Sequence, residues 1–482
     1  MRLYCQSQIL GADGGYNGHM QRNSNVSQGL LILLVLAFVI FAPVIASGYL
    51  DLHLAEASTD PTRAASFFEA AAERLFWRSD LWERAGLSAL KAGQPQEALR
   101  LLKQAPQLSI RGLTALGVAY TQTDQLDLAL AAYRSALNQG ASAEIYSGLA
   151  NVQRLRGDVE AERTALQNQL LLKPEDAPAQ YRLGLLLSLV DINAALTHLQ
   201  LASQLDPEFA PVFDTLRSAM TLAELSPTEA GRLVALGRGL GLVNEWPLAS
   251  RAFESAVKAD ERNAEALAWL GEAKQHIGQD GGADLNQALV LNPQSVVVRG
   301  LRGLYWKRLG TDHQALVEYQ AAAVIDPDNH AWSSSLGETY ARLGDLVSAL
   351  ASFQRATELA PTQAVYWRLL ATFCVEYAVH VQDVGLPAAQ KAADLSPKDA
   401  QTLDVLGWSQ LSLGKFYTAE QTLLAALKLA PDYALVRLHL AMTYLQEGKR
   451  TEAYDQLRRA VELDPNGTAG QQAAQVLKKY FP

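Results

Sequence analysis

Along most of the chain, apolar and small residues recur at the three- and four-residue spacings of an amphipathic helix, interrupted at short intervals by glycine or proline. Residues 336–361 show the unit. Counting from Gly337, Tyr340 lies three residues on, Gly344 seven, Ala349 twelve, Phe353 sixteen, Ala356 nineteen and Pro361 twenty-four. Gly407 is followed in the same way by Gly414, Ala419, Leu423, Ala426 and Pro431, and Ala441 by Tyr444, Gly448, Ala453, Leu457, Ala460 and Pro465. The first small residue of the unit recurs at Gly86, Gly117, Ala150, Gly184, Gly237, Gly271, Gly303, Gly337, Ala371, Gly407 and Ala441, in steps near 34 except for one of 53. Repetition at this period marks a stacked array.

Each unit predicts two helices. Leu336, Gly337 and Tyr340 share one face of the first, and Ala349, Phe353 and Ala356 share one face of the second. Gly344-Asp345 is the turn between them. Small residues let the two backbones approach, the aromatic rings fill the space beside the contact, and Pro361 ends the second helix because proline cannot donate to the ladder. One such hairpin cannot bury its apolar face alone. Stacked hairpins can, and the expected product is a quasi-linear solenoid.

The pattern Leu-Gly, Tyr, Ala, Phe, Ala, Pro resembles that of the tetratricopeptide repeat family over most of residues 80–465. The resemblance implies an all-α fold, a right-handed helix-turn-helix solenoid, here preceded by one transmembrane helix. The expected organisation is a polar, glycine-rich, disordered leader over 1–28; a transmembrane helix or uncleaved signal anchor over 29–48; and a half repeat over 52–79, in which Ala64, Phe68 and Ala71 show second-helix offsets only. Repeat blocks over 80–223 and 226–465 follow, and then a capping helix over 466–482. The GQDGG turn at 278–282 shortens one second helix, and residues 374–387 carry a two-residue insertion. The 53-residue step leaves residues 208–225 as an extra helix or an eroded repeat. Ser226-Pro227-Thr228-Glu229 then reads as an N-cap, a proline at the first helical position and a glutamate three residues after the cap.

Gly29 to Ala46 is apolar and uncharged throughout. Eighteen helical residues span about 27 Å, close to a hydrocarbon core of about 30 Å. Val44-Ile45-Ala46 before Ser47 also has the form of a cleavage site, which would release a secreted chain. The long leader favours retention. Arg2 and Arg22 precede the segment while Asp51, Glu56 and Asp60 follow it, so the basic side expects a cytoplasmic N-terminus and extracytoplasmic repeats.

A net charge of −9 without a lysine- or arginine-rich run argues against nucleic acid as a partner. Two cysteines, Cys5 and Cys374, make no disulfide framework, and Cys374 stands where other units carry a core tyrosine. The GRGLG of residues 237–241 lacks dinucleotide spacing and follows no strand; neither a phosphate loop, a nucleophile elbow, an HExxH nor a CxxC occurs. His276 and His439 read as surface or partly buried helix residues. The sequence therefore predicts no catalytic residues, no metal, no cofactor and no small-molecule substrate.

What remains is binding. The family resemblance implies that first helices line a concave groove through the positions not used for packing. In the last units these are Glu338, Arg342, Arg368, Thr372, Asp404, Trp408, Leu411, Leu438, Met442 and Leu445. Arg342, Arg368, Trp408, Leu411, Leu438, Met442 and Leu445 are the candidate contacts for a protein or peptide partner. The family's carboxylate clamp is not supported, since its lysine positions hold Ser147, Ser334 and Leu438, and Asn151 is the one matching asparagine. The expectation is a non-catalytic scaffold at the cell envelope, or else an accessory subunit of an envelope enzyme complex for glycan synthesis, export or cofactor assembly.

Overall fold

A computed structural model describes residues 17–482. These form 26 α-helices and no strand, and the chain divides into two compact units, Met1–Asp214 and Thr215–Pro482.

The first unit pairs Asp80–Lys91 with Pro95–Leu102, Ile110–Gln122 with Leu126–Gln139, Ala143–Arg156 with Val159–Leu172, and Ala177–Leu187 with Ile192–Leu205. In the second, Glu229–Leu242 pairs with Trp246–Ala259, Ala264–His276 with Gly282–Leu291, Val296–Arg308 with Asp312–Ile325, and His330–Arg342 with Leu346–Leu359. Ala364–Glu376 with Leu386–Leu395, Ala400–Ser412 with Phe416–Leu429, and Ala434–Gln446 with Arg450–Leu463 complete the series. Every first small residue named above falls in the first helix of a hairpin.

Two offsets acquire a physical meaning. The residue at +7 from the small one takes a left-handed backbone in nearly every hairpin: Gly93, Gly157, Gly278, Gly310, Gly344, Gly414 and Gly448, with Asp124, Asn244 and Ala378 in the same place. Glycine adopts this conformation at least cost, so the turn selects it. The residue at +16 is the partner of the small one. A Cβ on Gly337 would stand 2.9 Å from the Phe353 ring, on Gly303 2.4 Å from Tyr319, on Gly237 2.5 Å from Phe253 and on Gly407 2.5 Å from Leu423. Bulk at either place would wedge the hairpin open.

First helices start on side-chain caps. Ser109, Ser142, Asp176, Asn263, Ser295 and Asn329 each accept a hydrogen bond from a backbone amide of the first turn. The helix after the long repeat step is capped by Thr228, which accepts from Gly231 N at 3.1 Å, and begins at Glu229. Ser226 is not its cap; the Ser226 hydroxyl donates to Thr228 O, and Pro227 lies outside the helix. Residues 208–225 form a 3-10 turn, Pro207–Phe209, and a single helix, Ala210–Glu224. The GQDGG turn leaves a second helix of 10 residues, Gly282–Leu291. The insertion after Cys374 is taken up by a π-helical turn, Val381–Gly385. Cys374 is fully buried, and burial pushes its thiol up to about 12.

The N-terminal region differs from the sequence reading. Residues 1–16 of the expected leader lie outside the described residues, but residues 17–28 belong to one helix, Asn17–Ala57, of 41 residues. This helix runs through the apolar segment, with Pro43 inside it, and its last third packs on Pro61–Arg74. Leu52 and Ala55 are buried against Ala64, Phe68 and Ala71. The half repeat thus has a first helix after all: the end of the apolar one. Among the described residues one stretch, Phe38–Ala57, is long and apolar enough to cross a membrane, with 17% of it buried. At the other end, Thr468–Tyr480 covers the last hairpin through Ala469 and Ala473, with Lys478 and Lys479 exposed.

Candidate functional site

In the first unit the first helices stand far enough apart to leave connected clefts. A cleft of about 590 Å³ lies over Ile110–Gln122, Ala143–Arg156 and Ala177–Leu187 and is lined by Thr114, Val118, Gln122, Ser147, Asn151 and Arg154 among others. It shares Thr114, Val118 and Glu144 with a second, of about 430 Å³, that reaches Leu87 and Lys91. Phe68, Arg84, Ser88 and Lys91 continue into a third of about 290 Å³ beside Ala55 and Pro61. The floor is fixed by glycine. A Cβ on Gly117 or Gly148 would stand 2.7 Å or 2.4 Å from the Tyr133 ring, which is buried between them. Burial pushes the Tyr133 hydroxyl up to about 12, so it stays a neutral donor.

The charges around this groove are sparsely paired. Lys91, Arg111 and Glu144 have no ion-pair partner among the described residues, and Arg154 donates to Asn151 Oδ1 at 2.9 Å. A pair stands at each end: Arg84 donates to Glu56 Oε1 at 2.8 Å, and Arg182 donates to both carboxylate oxygens of the buried Glu162 at 2.6 and 3.1 Å.

The second unit closes the corresponding surface. Glu272, buried, accepts two hydrogen bonds from Arg308 of the next first helix at 2.7 and 2.6 Å, and His276 Nε2 lies 3.1 Å from the same carboxylate. Lys307 pairs with Glu338 at 2.6 Å and Arg342 with Asp312 at 3.0 Å. Arg302 and Arg299 hold the buried Glu318 at 3.0 and 2.8 Å. An apolar cleft of about 320 Å³ lies between Trp269 and Trp332, over Gly300 and Leu304, and a further cleft of about 580 Å³ lies beside Trp367, Pro387 and Lys391.

The sequence-selected residues fall into this closed surface. Arg342 is exposed but ion-paired, and Glu338 is tied to Lys307. Arg368 and Thr372 are half-buried. Trp408 is half-buried and stacks on His439 with ring centroids 4.7 Å apart. His439 is not a surface residue: it is buried and its Nδ1 lies 2.8 Å from the buried Asp404. Leu411 and Leu438 are buried rather than open to a partner. Leu438 packs with Leu457, Ala460 and Ala473, so the terminal helix covers it. Met442 is exposed at 37%, and Leu445 is half-buried.

The residues that line the open groove occupy the same repeat positions as the candidate contacts of the last units; of them the sequence reading names Ser147 and Asn151, as clamp positions. Groove positions lie at −3, +1, +4 and +5 from the small residue. Taken from Gly117 they give Thr114, Val118, Thr121 and Gln122; from Ala150, Ser147, Asn151, Arg154 and Leu155. All but Leu155 line the cleft of about 590 Å³. Among the described residues no group of three or more His, Cys, Asp or Glu is arranged to hold a metal.

Comparison with known proteins bears on the repeat itself. The tetratricopeptide repeat family model matches residues 313–364 and 405–468, inside the hairpin series described above. The chain carries tetratricopeptide repeats. Superkiller protein 3 of Schizosaccharomyces pombe is 26% identical to this tetratricopeptide-repeat chain over 195 residues, 38% of this chain and 14% of that protein. Human Superkiller complex protein 3 is 25% identical over 287 residues, 56% and 17% of the two chains. The chain thus spans less than a fifth of the length of these curated relatives. Among solved structures, the APC/C hetero-tetramer Cut9–Hcn1 aligns over 92% of this chain and 95% of its own, at 16% identity and a TM-score of 0.46.

Proposed function

We propose that this tetratricopeptide-repeat chain is a membrane-anchored, non-catalytic scaffold that holds a protein or peptide partner along the inner face of its first unit. The run of three connected clefts from Ala55 to Arg182 carries this reading. Such a face can take an extended segment, because it offers amide, hydroxyl and unpaired charged groups above an aliphatic floor. Asn151, Ser147 and Thr114 supply hydrogen bonds; Val118, Leu87 and Leu90 supply apolar contact; Lys91, Arg111 and Arg154 supply charge. Trp408, Met442 and Leu445 are a secondary contact surface in the other unit.

The apolar helix keeps the groove at a membrane. Val35, Leu36, Phe38, Val39, Ile40, Phe41 and Val44 are all exposed, a run that water would not favour on a free protein. Arg22 before it and the acidic residues after it favour repeats on the extracytoplasmic side. Cleavage after Ala46 is disfavoured, because the bond lies inside a continuous helix whose neighbouring residues Ile45 and Gly48 pack on the next hairpin.

The test is photocrosslinking in native membranes from position 151, with identification of the captured protein and its binding then measured in purified form. Asn151→Trp together with Val118→Trp fills the groove, and the Kd should rise at least about tenfold, or ~1.4 kcal/mol. An unchanged Kd contradicts the assignment.

A further inference from the structure

The turn that joins Pro61–Arg74 to Asp80–Lys91 has an unusual tip. Arg78 N donates to Leu75 O at 2.7 Å, closing a turn whose two central residues are Phe76 and Trp77. Turn tips are normally polar, with glycine, asparagine or aspartate at these places. Here Phe76 is 79% exposed and Trp77 46%, with their rings in an edge-to-face pair 5.0 Å apart. Among the described residues nothing else in the unit covers them.

Their height along the long helix is fixed. Leu75 is fully buried and sits against Gly48, where a Cβ would stand 2.8 Å from its side chain. Tyr49, next to Gly48 in the helix, is half exposed. The aromatic tip therefore lies level with residues 48 and 49. The apolar exposed run of the helix ends at Leu50, and the ionisable residues begin at Asp51, which pairs with Arg74. Counting back about 20 residues, or ~30 Å, from Gly48 reaches Gly29, where the apolar run starts; the Phe38–Ala57 stretch lies further along the same helix, but its Asp51, His53 and Glu56 belong outside the hydrocarbon. One end of the hydrocarbon-length stretch thus coincides with a cluster of Phe76, Trp77 and Tyr49, flanked by Arg74 and Arg78. Tryptophan and tyrosine concentrate at that level of a bilayer because their amphipathic rings suit the headgroup layer, and arginine reaches the phosphates beside it.

We infer that the Phe76–Trp77 turn is a membrane-interface anchor: it enters the headgroup layer of the bilayer that the long helix crosses and sets the depth of the first hairpin. The inference rests on the membrane-crossing reading. It adds a second point of attachment, so that the groove entrance beside Ala55 and Pro61 is held near the lipid surface and cannot swing freely about the helix.

The test uses the full chain with Cys5→Ser, in which Cys374 is buried and unreactive, carrying an environment-sensitive fluorophore on Phe76→Cys, Val39→Cys or Leu128→Cys. Each is reconstituted in phosphatidylcholine–phosphatidylglycerol vesicles without nitroxide, with a nitroxide lipid labelled near the headgroup, or with one labelled deep in the acyl chain. The label at 39 should lose at least about half its emission to the deep nitroxide and the label at 76 as much to the headgroup nitroxide, and the label at 128 should respond to neither. Quenching at 39 without quenching at 76 overturns the anchor and leaves the membrane helix standing. No quenching at either removes the membrane reading and the anchor with it. A label at 76 that is shielded in proportion to protein concentration, yet insensitive to the nitroxide, assigns the turn to a second copy of the chain and overturns the inference.

Discussion

Both units repeat one hairpin, yet the surfaces formed by their first helices are opposite in character. Among the +1 and +5 positions of the second unit, Glu272, Arg308, Glu338 and Arg342 are each engaged in an ion pair, three of them with a residue of a neighbouring first helix. At the same positions the first unit places Leu87, Lys91, Val118, Gln122, Asn151 and Leu155, which form no such links and leave the clefts open. The packing side of the repeat, at the small residue and +16, is the same in both. A repeat protein can therefore hold its scaffold constant and switch one face from closed to receptive by changing two positions per unit.

Glu272→Ala is expected to produce the largest effect. It strands the Arg308 guanidinium among its former partners and should cost the second unit about 2–3 kcal/mol, allowing for the partial exposure of Arg308. Urea unfolding followed at the tryptophans, most of which lie in that unit, measures it. A loss below about 0.5 kcal/mol would mean that the ion pairs do not close the surface energetically.

The shared packing is tested by Gly117→Leu and Gly337→Leu. Both force bulk onto an aromatic ring less than 3 Å away, and each should destabilise its own unit by about 1–3 kcal/mol. If only one of the two responds, the hairpins are not equivalent. A smaller gain is expected from Ala378→Gly, where the alanine holds a φ of 53° that other repeats give to glycine. Relief of that strain should stabilise the second unit by about 1 kcal/mol, read as a raised urea midpoint. No shift, or a fall, contradicts the strain.

A fine pH effect should distinguish the first unit. Burial lowers the pKa of His198, whose Nδ1 lies 2.5 Å from Gln180 Oε1. The unfolded chain then binds the proton more readily than the folded one. Stability from this group is present above the unfolded value of about 6.5 and declines as pH falls through that region. His198→Gln should flatten the decline in a pH series of unfolding midpoints; an unchanged slope places the effect on another group.

The local architecture was legible because it is written at short range. Helix faces, the left-handed turn at +7 and the small-to-aromatic contact at +16 all follow from spacings within one unit. Three features were not. Whether a groove position is open depends on the residue about one repeat away: Arg308 closes the surface at Glu272, while nothing spans the cleft at Asn151. Burial of Leu438 depends on the terminal helix that folds over it. The N-terminal hairpin was misjudged because its first helix carries membrane-like composition in place of the repeat pattern, and only packing of Leu52 and Ala55 reveals its second role. Capping at Thr228 instead of Ser226 shows the same limit, since a serine before proline and a threonine two residues later are equally able caps by type.

The account stands most directly on one paired measurement: photocrosslinking of the full chain in native membranes from position 151 and, separately, from position 442, with the captured protein identified and rebound in purified form. Capture of one specific protein from position 151, lost when Val118→Trp fills the cleft, is the predicted result. Capture from position 442 alone, indifferent to Val118→Trp, would contradict it and return the partner surface to the second unit.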